Sequence, residues 1–224
     1  MDSLYNEFKK YIAQSSEFKP FQLEINKAEG VYVEDIYRKK YIDLMSGISV
    51  SNIGHRHPRV IEAVRKQLDA YMHVMVYGEF IESPQIKLAQ KLCSLLPDNL
   101  DTVFYVNSGS EAIEGALKLA KKYTKRHEIV AFKNSYHGST MGAISLLSQQ
   151  DFKQPFLPLL PDIRILEFNN TALLNQITEK TACVVTEVIQ AGSGIIPAEK
   201  EFLETLRKRC NETGTLLIFD EIQT

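Results

Sequence analysis

Residues 182–188 read ACVVTEV and residues 215–220 read TLLIFD. Both are apolar runs without regular polar alternation, and each leads to an acid, Glu187 in one and Asp220 in the other. A strand with one wet face alternates; a strand covered on both faces has no need to. Working outward, EIVAF (128–132) and IRILEF (163–168) are further strands, and TVFYV (102–106) is strand-like. Between them lie helical patterns. Gly109 to Tyr123 places Ile113, Ala116, Leu117 and Ala120 on one face, and Phe202, Leu203, Leu206 and Cys210 mark another helix. Apolar strands separated by helices predict an α/β fold, a mainly parallel sheet flanked by helices.

The first hundred residues read differently. Residues 1 to about 20 predict a short helix and an arm. Leu23 to Leu44 is β-type, a hairpin with a charged tip at Arg38 to Lys40. Pro58 opens a helix with Val60, Ile61, Val64, Leu68 and Tyr71 on one face. Ser83-Pro84 opens another, carried by Leu88, Leu92, Leu95 and Leu96 to Pro97. No internal repeat or linker-like stretch interrupts the chain. The expected organisation is one large domain with an N-terminal appendage.

Composition narrows the function classes. The 224 residues are 44% apolar and 24% charged, which is ordinary for a globular chain. Lys plus Arg number 26 against 28 Asp plus Glu, a net charge of −2 that gives no reason to expect nucleic acid or an anionic membrane as partner. Cys93, Cys183 and Cys210 are far apart in apolar segments, so buried thiols in a reducing compartment are expected. No Cys/His cluster has metal spacing. No stretch reaches the roughly 20 apolar residues of a membrane span, and the charged N-terminus lacks a secretory apolar core. A cytoplasmic location is expected.

Ligands of open α/β sheets bind at the carboxyl ends of the strands. Four such places carry polar residues. Asn107-Ser108-Gly109-Ser110-Glu111 opens a helix, where small residues and free backbone N–H groups suit a phosphate, or cap the helix. Ser135-Tyr136-His137-Gly138 could set an aromatic face over a planar ligand, or pack as a loop. Glu187 stands at the mouth of a buried strand and needs a hydrogen-bond partner. Asp220 needs a cationic or donor partner, and Gln223 three residues on could address the same heterocycle. Two rival readings fail. A P-loop ATPase needs GxxxxGK[ST], and no Gly here precedes a Lys. A dinucleotide fold needs GxGxxG, but Pro197 stands where the third Gly would follow Gly192 and Gly194.

Taken together, NSGSEAIEGALKLAKKY (107–123), NSYHGSTMGAISLLS (134–148), EVIQAGSGIIPA (187–198) and LLIFDEIQT (216–224) resemble the class III aminotransferases, the ornithine, acetylornithine, 4-aminobutyrate and ω-amino-acid transaminases. YIDLMSGISVSNIGHRHPRV (41–60) resembles the N-terminal part of that family. The resemblance implies the fold type I architecture of pyridoxal-phosphate enzymes. It also implies a homodimer with sites at the subunit interface, an amine or amino-acid donor and an oxo-acid acceptor. Residues 1–45 would belong to the small domain and 46–224 to the first part of the large cofactor-binding domain. Carried over residue by residue, Gly109 and Ser110 would hold the phosphate of pyridoxal 5'-phosphate and Tyr136 would stack on its ring. Asp220 would pair with the ring nitrogen, Gln223 would bond the phenolic oxygen, and Glu187 would orient cofactor or substrate. His137 would stand behind these groups, and His55 and His57 would be structural.

Departures bear on substrate. Where ornithine, acetylornithine and 4-aminobutyrate enzymes usually have an arginine after the aromatic-x-Gly turn, this chain has Ser139. Where a gate glutamate usually follows the EPIQ motif, it has Gly192, and Val188 replaces the usual Pro. The YHG form resembles the ω-amino-acid and diaminopelargonate branches, while Gly47-Ile48-Ser49-Val50 resembles acetylornithine enzymes. In this family the Schiff-base lysine follows DE-x-Q, beyond another strand. The resemblance therefore places it beyond Thr224, with the sheet incomplete at the C-terminus and the 224 residues alone inactive. Lys133 lies on the wrong element to replace it. A decarboxylase or aminomutase of the same family, and a non-catalytic binding or assembly module, are the alternatives.

Overall fold

The computed structural model describes residues 2–13, 21–75 and 78–224. The chain forms two compact units, residues 1–82 and 83–224. In the first, helix α1 (Asp2–Tyr11) precedes an antiparallel sheet of β1 (Ile25–Glu29), β2 (Tyr32–Asp35) and β3 (Lys40–Ile42) in that order. The expected hairpin is β2–β3 with a third strand added, while the arm after α1 falls at residues 14–20, outside the described residues. Asp35 makes the tip. Its carboxylate accepts from the amides of Tyr37 (2.8 Å) and Lys39 (2.9 Å) and the hydroxyl of Tyr41 (3.0 Å). Burial opposes the Asp35 charge, but these donors outweigh it and hold the carboxyl below its usual range.

A turn of helix, α2 (Ser46–Ser49), contains left-handed residues, with φ of 63° at both Gly47 and Ile48. It is held by Asp43, whose carboxylate accepts from the amides of Met45 and Ser46 and meets His55 Nε2 at 2.7 Å. The His55 backbone in turn bridges Gly30. His55 is thus a tie between turns, the structural role expected of it. Helix α3 (Pro58–Ala70) starts on its proline as predicted, and His57 occupies its N-cap position.

The second unit begins with α4 (Ser83–Cys93). The predicted run to Pro97 stops short. Leu95 and Leu96 donate to carbonyls three residues back, Leu92 and Cys93, and this tightening carries the chain out of the α conformation that Pro97 disfavours. TVFYV is also corrected: residues 102–106 form no strand, and Phe104 is 80% exposed. Apolar propensity makes a segment fit for a strand, but a ladder makes it one, and no described strand pairs with it.

The rest is the predicted α/β layer. After α5 (Gly109–Thr124) comes β4 (Glu128–Phe132), then α6 (Met141–Ser145), α7 (Gln150–Lys153), β5 (Ile163–Leu166), β6 (Thr181–Glu187) and a small ribbon of β7 (Ile189–Gln190) and β8 (Ile196–Pro197). Helix α8 (Lys200–Thr213) and β9 (Leu216–Asp220) complete it. The sheet order is β5-β4-β6-β9, all parallel, with Glu187 of β6 opposite Asp220 of β9. Alternate residues face opposite helices. Ile129, Ala131, Cys183 and Val185 pack with Ile113, Leu117 and Ala120 of α5. Val130, Phe132 and Val184 pack with Phe202, Leu206 and Cys210 of α8. Both faces of β4 and β6 are therefore dry, the reason those runs do not alternate. Cys183 and Cys210 are buried free thiols on opposite faces, with burial pushing them up to about 12 and about 11; Cys93 is half-buried.

One residue fastens the amino ends of this sheet. Arg126 Nη1 donates to the carbonyls of Thr213 (2.9 Å), Thr181 (3.1 Å) and Gly214 (3.2 Å), where α8 turns left-handed into β9. Arg126→Ala leaves three carbonyls without their charged donor. It is expected to lower stability by about 2 kcal/mol in urea unfolding, with Arg126→Lys between the two.

Candidate functional site

The carboxyl ends of β4, β6 and β9 meet the N-terminus of α5, and the sequence accounts for each piece. Ser108 caps α5 by accepting from the Glu111 amide (3.2 Å), and Glu111 accepts from the Asn107 amide (2.6 Å). Capping uses the third amide. Those of Gly109 and Ser110 sit in the first turn, where a helix has no internal acceptor for them. The helix opening is tightly lined. A Cβ on Gly109 would lie 2.9 Å from Ile222 Cγ1, and one on Gly138 would lie 2.1 Å from Ser110 Oγ. Ser110 Oγ also accepts from the Ser139 amide at 3.2 Å. Three stretches distant in sequence, 109–110, 138–139 and 222, thus close around one helix end.

Asp220 ends β9 with its side chain 7% exposed. Its Oδ2 lies 2.8 Å from Nδ1 of His137, whose side chain is fully buried, and Oδ1 accepts from the Ile222 amide at 3.2 Å. The carboxylate is the acceptor here, which assigns the imidazole proton to Nδ1. Each oxygen keeps a second lone pair. His137 stands behind Asp220 as the sequence reading placed it, and its Nε2 is buried with no partner among the described residues.

Glu187 lies beside Asp220 across the β6–β9 register and is buried. It accepts from the Tyr136 amide at 2.9 Å. Burial raises the Glu187 carboxyl above the usual carboxylate range; the Tyr136 amide and His137 pull it partly back, and Asp220 pushes it up. Glu187 therefore fixes the tyrosine backbone. Tyr136 itself remains 59% exposed. Two further side chains act on the same loop, Gln190 of the strand end already weighed and Ser193, to which the sequence assigned no role. Gln190 Nε2 donates to the Lys133 carbonyl at 2.9 Å, and Ser193 Oγ donates to the Asn134 carbonyl.

The structure thus brings Gly109, Ser110, Tyr136, Glu187 and Asp220 to one sheet end, with His137 added. Gln223 is exposed, and it is joined to the group through the 220–222 turn alone. Lys133 pairs with Glu167 outside the group. Among the described residues no cluster of His, Cys, Asp and Glu could hold a metal.

The profile of the family described as aminotransferase class III matches residues 13–224. The chain belongs to the class III aminotransferases. Among curated relatives, it is 42% identical to the LysW-aminoadipate semialdehyde/glutamate semialdehyde transaminase of Sulfurisphaera tokodaii, over 90% of this chain and 52% of that one. It is 37% identical to the acetylornithine aminotransferase of Archaeoglobus fulgidus, over 96% of this chain and 56% of that one. Among solved structures, adenosylmethionine-8-amino-7-oxononanoate aminotransferase from Methanocaldococcus jannaschii superposes with a TM-score of 0.90 at 31% identity, over 98% of this chain and 55% of that one. The chain spans about half the length of the curated relatives it matches. Its fold is that of the pyridoxal-phosphate-dependent class III enzymes, as the resemblance implied.

The class III residues present here fit that cofactor. A nearly buried carboxylate with spare lone pairs suits a protonated ring nitrogen. A helix opening where a Cβ at position 138 would meet the Ser110 backbone, and one at 109 would have to displace Ile222, suits backbone contact with a phosphate. The exposed face of Tyr136 is available to a planar ring.

Proposed function

We propose that the full-length protein transfers an amino group from an amine or amino-acid donor to an oxo-acid with pyridoxal 5'-phosphate. The observation that carries this reading is the gathering of Ser110, Tyr136 and the His137–Asp220 pair at one sheet end. When bound, the cofactor supplies an electron-withdrawing ring that takes up charge left on the donor carbon. In this reading the Gly109 and Ser110 amides and the Ser110 hydroxyl bind the phosphate. Tyr136 covers the ring, Gln223 donates to its phenolic oxygen, and Glu187 orients the loop that carries Tyr136. Asp220 keeps a proton on the ring nitrogen, and His137 holds Asp220 in place. Residues 1–45 would serve the small domain and 46–224 the large one.

The substrate side follows from what stands at two positions. Ser139 uses its amide on Ser110 and has no cationic group with which to grip a carboxylate. Gly192 lies against Tyr136 with no side chain to act as a gate. We therefore propose a donor held by its amine end, and we place no arginine grip at residue 139. Val60, Val64 and Leu68 of α3 are half exposed, apolar area that a homodimer would cover. A cytoplasmic location accords with three free thiols, and no helix among the described residues is long and apolar enough to cross a membrane.

The test is a donor screen on the full-length protein with cofactor and an oxo-acid acceptor, including acetylornithine and ω-amino acids. Amino transfer should appear as a new amino acid formed from the acceptor. Donor-derived carbon dioxide or isomerised donor, with the acceptor untouched, would replace this reading by a decarboxylase or aminomutase. A cofactor-loaded protein inert to every donor would replace it by a binding module. For the 224-residue polypeptide alone, borohydride treatment with cofactor is expected to leave no stoichiometric adduct on a single lysine.

A further inference from the structure

The segment 187–193, EVIQAGS, looks in sequence like a ligand-facing loop, yet its polar side chains point elsewhere. Glu187 takes the amide of Tyr136, Gln190 donates to the carbonyl of Lys133, and Ser193 donates to the carbonyl of Asn134. Gly192 sits beneath the tyrosine, where a Cβ would meet Tyr136 Cβ at 3.9 Å. Every polar side chain in the segment is therefore bonded to backbone of residues 133–136. Gln190 is 2% exposed, so its amide was brought out of water for this contact.

The loop turns sharply at both ends: Asn134 is left-handed at φ 60° and Gly138 stands at φ 115°, conformations that these two residue types reach readily. Between them lie a buried histidine committed to Asp220 and a tyrosine that is mostly exposed. A side chain so exposed takes its position largely from the backbone that carries it.

We propose that Gln190 and Ser193 are positioning residues that fix the Tyr136 ring by clamping the backbone of residues 133 and 134. This rests on the proposed cofactor reading, in which that ring lies on the cofactor. The clamp explains why the segment needs an amide donor at 190 and a hydroxyl at 193 without either touching substrate or cofactor.

The test compares Gln190→Met, Ser193→Ala and Ser193→Thr with the unsubstituted full-length protein. Two readouts are taken: amide hydrogen exchange over residues 133–138 without cofactor, and circular dichroism at the cofactor absorption band with it. Gln190→Met keeps the volume and removes the donor, and Ser193→Thr keeps the hydroxyl. Expected are faster exchange and about 3- to 10-fold weaker cofactor binding in Gln190→Met and Ser193→Ala, with an altered cofactor signal at saturation. Ser193→Thr should restore both. Unchanged exchange with a normal cofactor signal would overturn the clamp alone. Faster exchange with an unchanged signal per bound cofactor would reduce it to a structural support. No cofactor signal in the unsubstituted protein would overturn the proposed function itself, and this role with it. Because Ser193 is only half-buried, its variants keep the question open to refutation if Gln190→Met fails to fold.

Discussion

Asp220→Asn is expected to slow amino transfer by the full-length protein by about 100- to 1,000-fold, the range for loss of one preorganised electrostatic contact to a reacting group. The substitution is nearly isosteric, so it changes charge and donor pattern without changing volume. His137 Nδ1 can still donate to the Asn side-chain oxygen, which keeps the 2.8 Å contact; the Asn amide then replaces Oδ1, loses the bond from the Ile222 amide and offers the ring nitrogen a donor. That amide is a donor. It favours a ring nitrogen without its proton, and the ring then draws less charge from the donor carbon. Binding should suffer less than rate, since the phosphate contacts proposed for Gly109 and Ser110 are untouched. Without cofactor the variant's stability should change by no more than about 1 kcal/mol, because losing the Ile222 amide bond is offset by removing a nearly buried charge whose proposed cationic partner is the cofactor. Single-turnover rates with one donor, cofactor titration and thermal unfolding of the cofactor-free protein read these three effects. A rate loss under tenfold would remove Asp220 from the role proposed for it.

How much of this was legible in sequence depended on the range of the determining interaction. The strands β4 and β6 were legible because burial on both faces leaves a mark within five to seven residues, and β9, partly buried at the sheet edge, because its run is equally apolar. The start of α5 was legible because Ser108 and Glu111 cap it locally. TVFYV misled because its composition is the same with or without a ladder partner, and pairing is not written in the segment. The carboxylates at 187 and 220 stood out as expensive groups at strand ends. What Glu187 holds did not, since its partner lies 51 residues away. Gln190 and Ser193 stood in a motif that looked ligand-facing, and nothing local showed what they bond: their acceptors are backbone carbonyls 57 and 59 residues distant. Tyr136, His137 and Gly138 were legible as a group through the family resemblance, and the sheet explains the grouping. One turn sends the histidine inward to Asp220, leaves the tyrosine outward, and brings the glycine against α5.

That last contact carries the other large expected effect. Gly138→Ala should weaken cofactor binding by about 100-fold or more, a larger loss than Ser110→Ala at about tenfold. At φ 115° an alanine is strained by about 1–3 kcal/mol before any contact is counted. Its Cβ would then lie 2.1 Å from Ser110 Oγ, 2.9 Å from Ser110 Cβ and 3.0 Å from Ser110 Cα. A rotating hydroxyl can relieve the first distance, but the other two belong to the helix start itself. Either the 138–139 turn or the first turn of α5 must move, and the bond from the Ser139 amide to Ser110 goes with it. Ser110→Ala removes the hydroxyl and leaves both amides in place, so its cost is one hydrogen bond to a charged group. The ordering of the two variants in a cofactor titration is therefore the informative quantity. Gly138→Ala binding as well as Ser110→Ala would mean that the turn absorbs a methyl group without disturbing the helix opening. The phosphate would then have to be held by something other than the closeness of these two backbones.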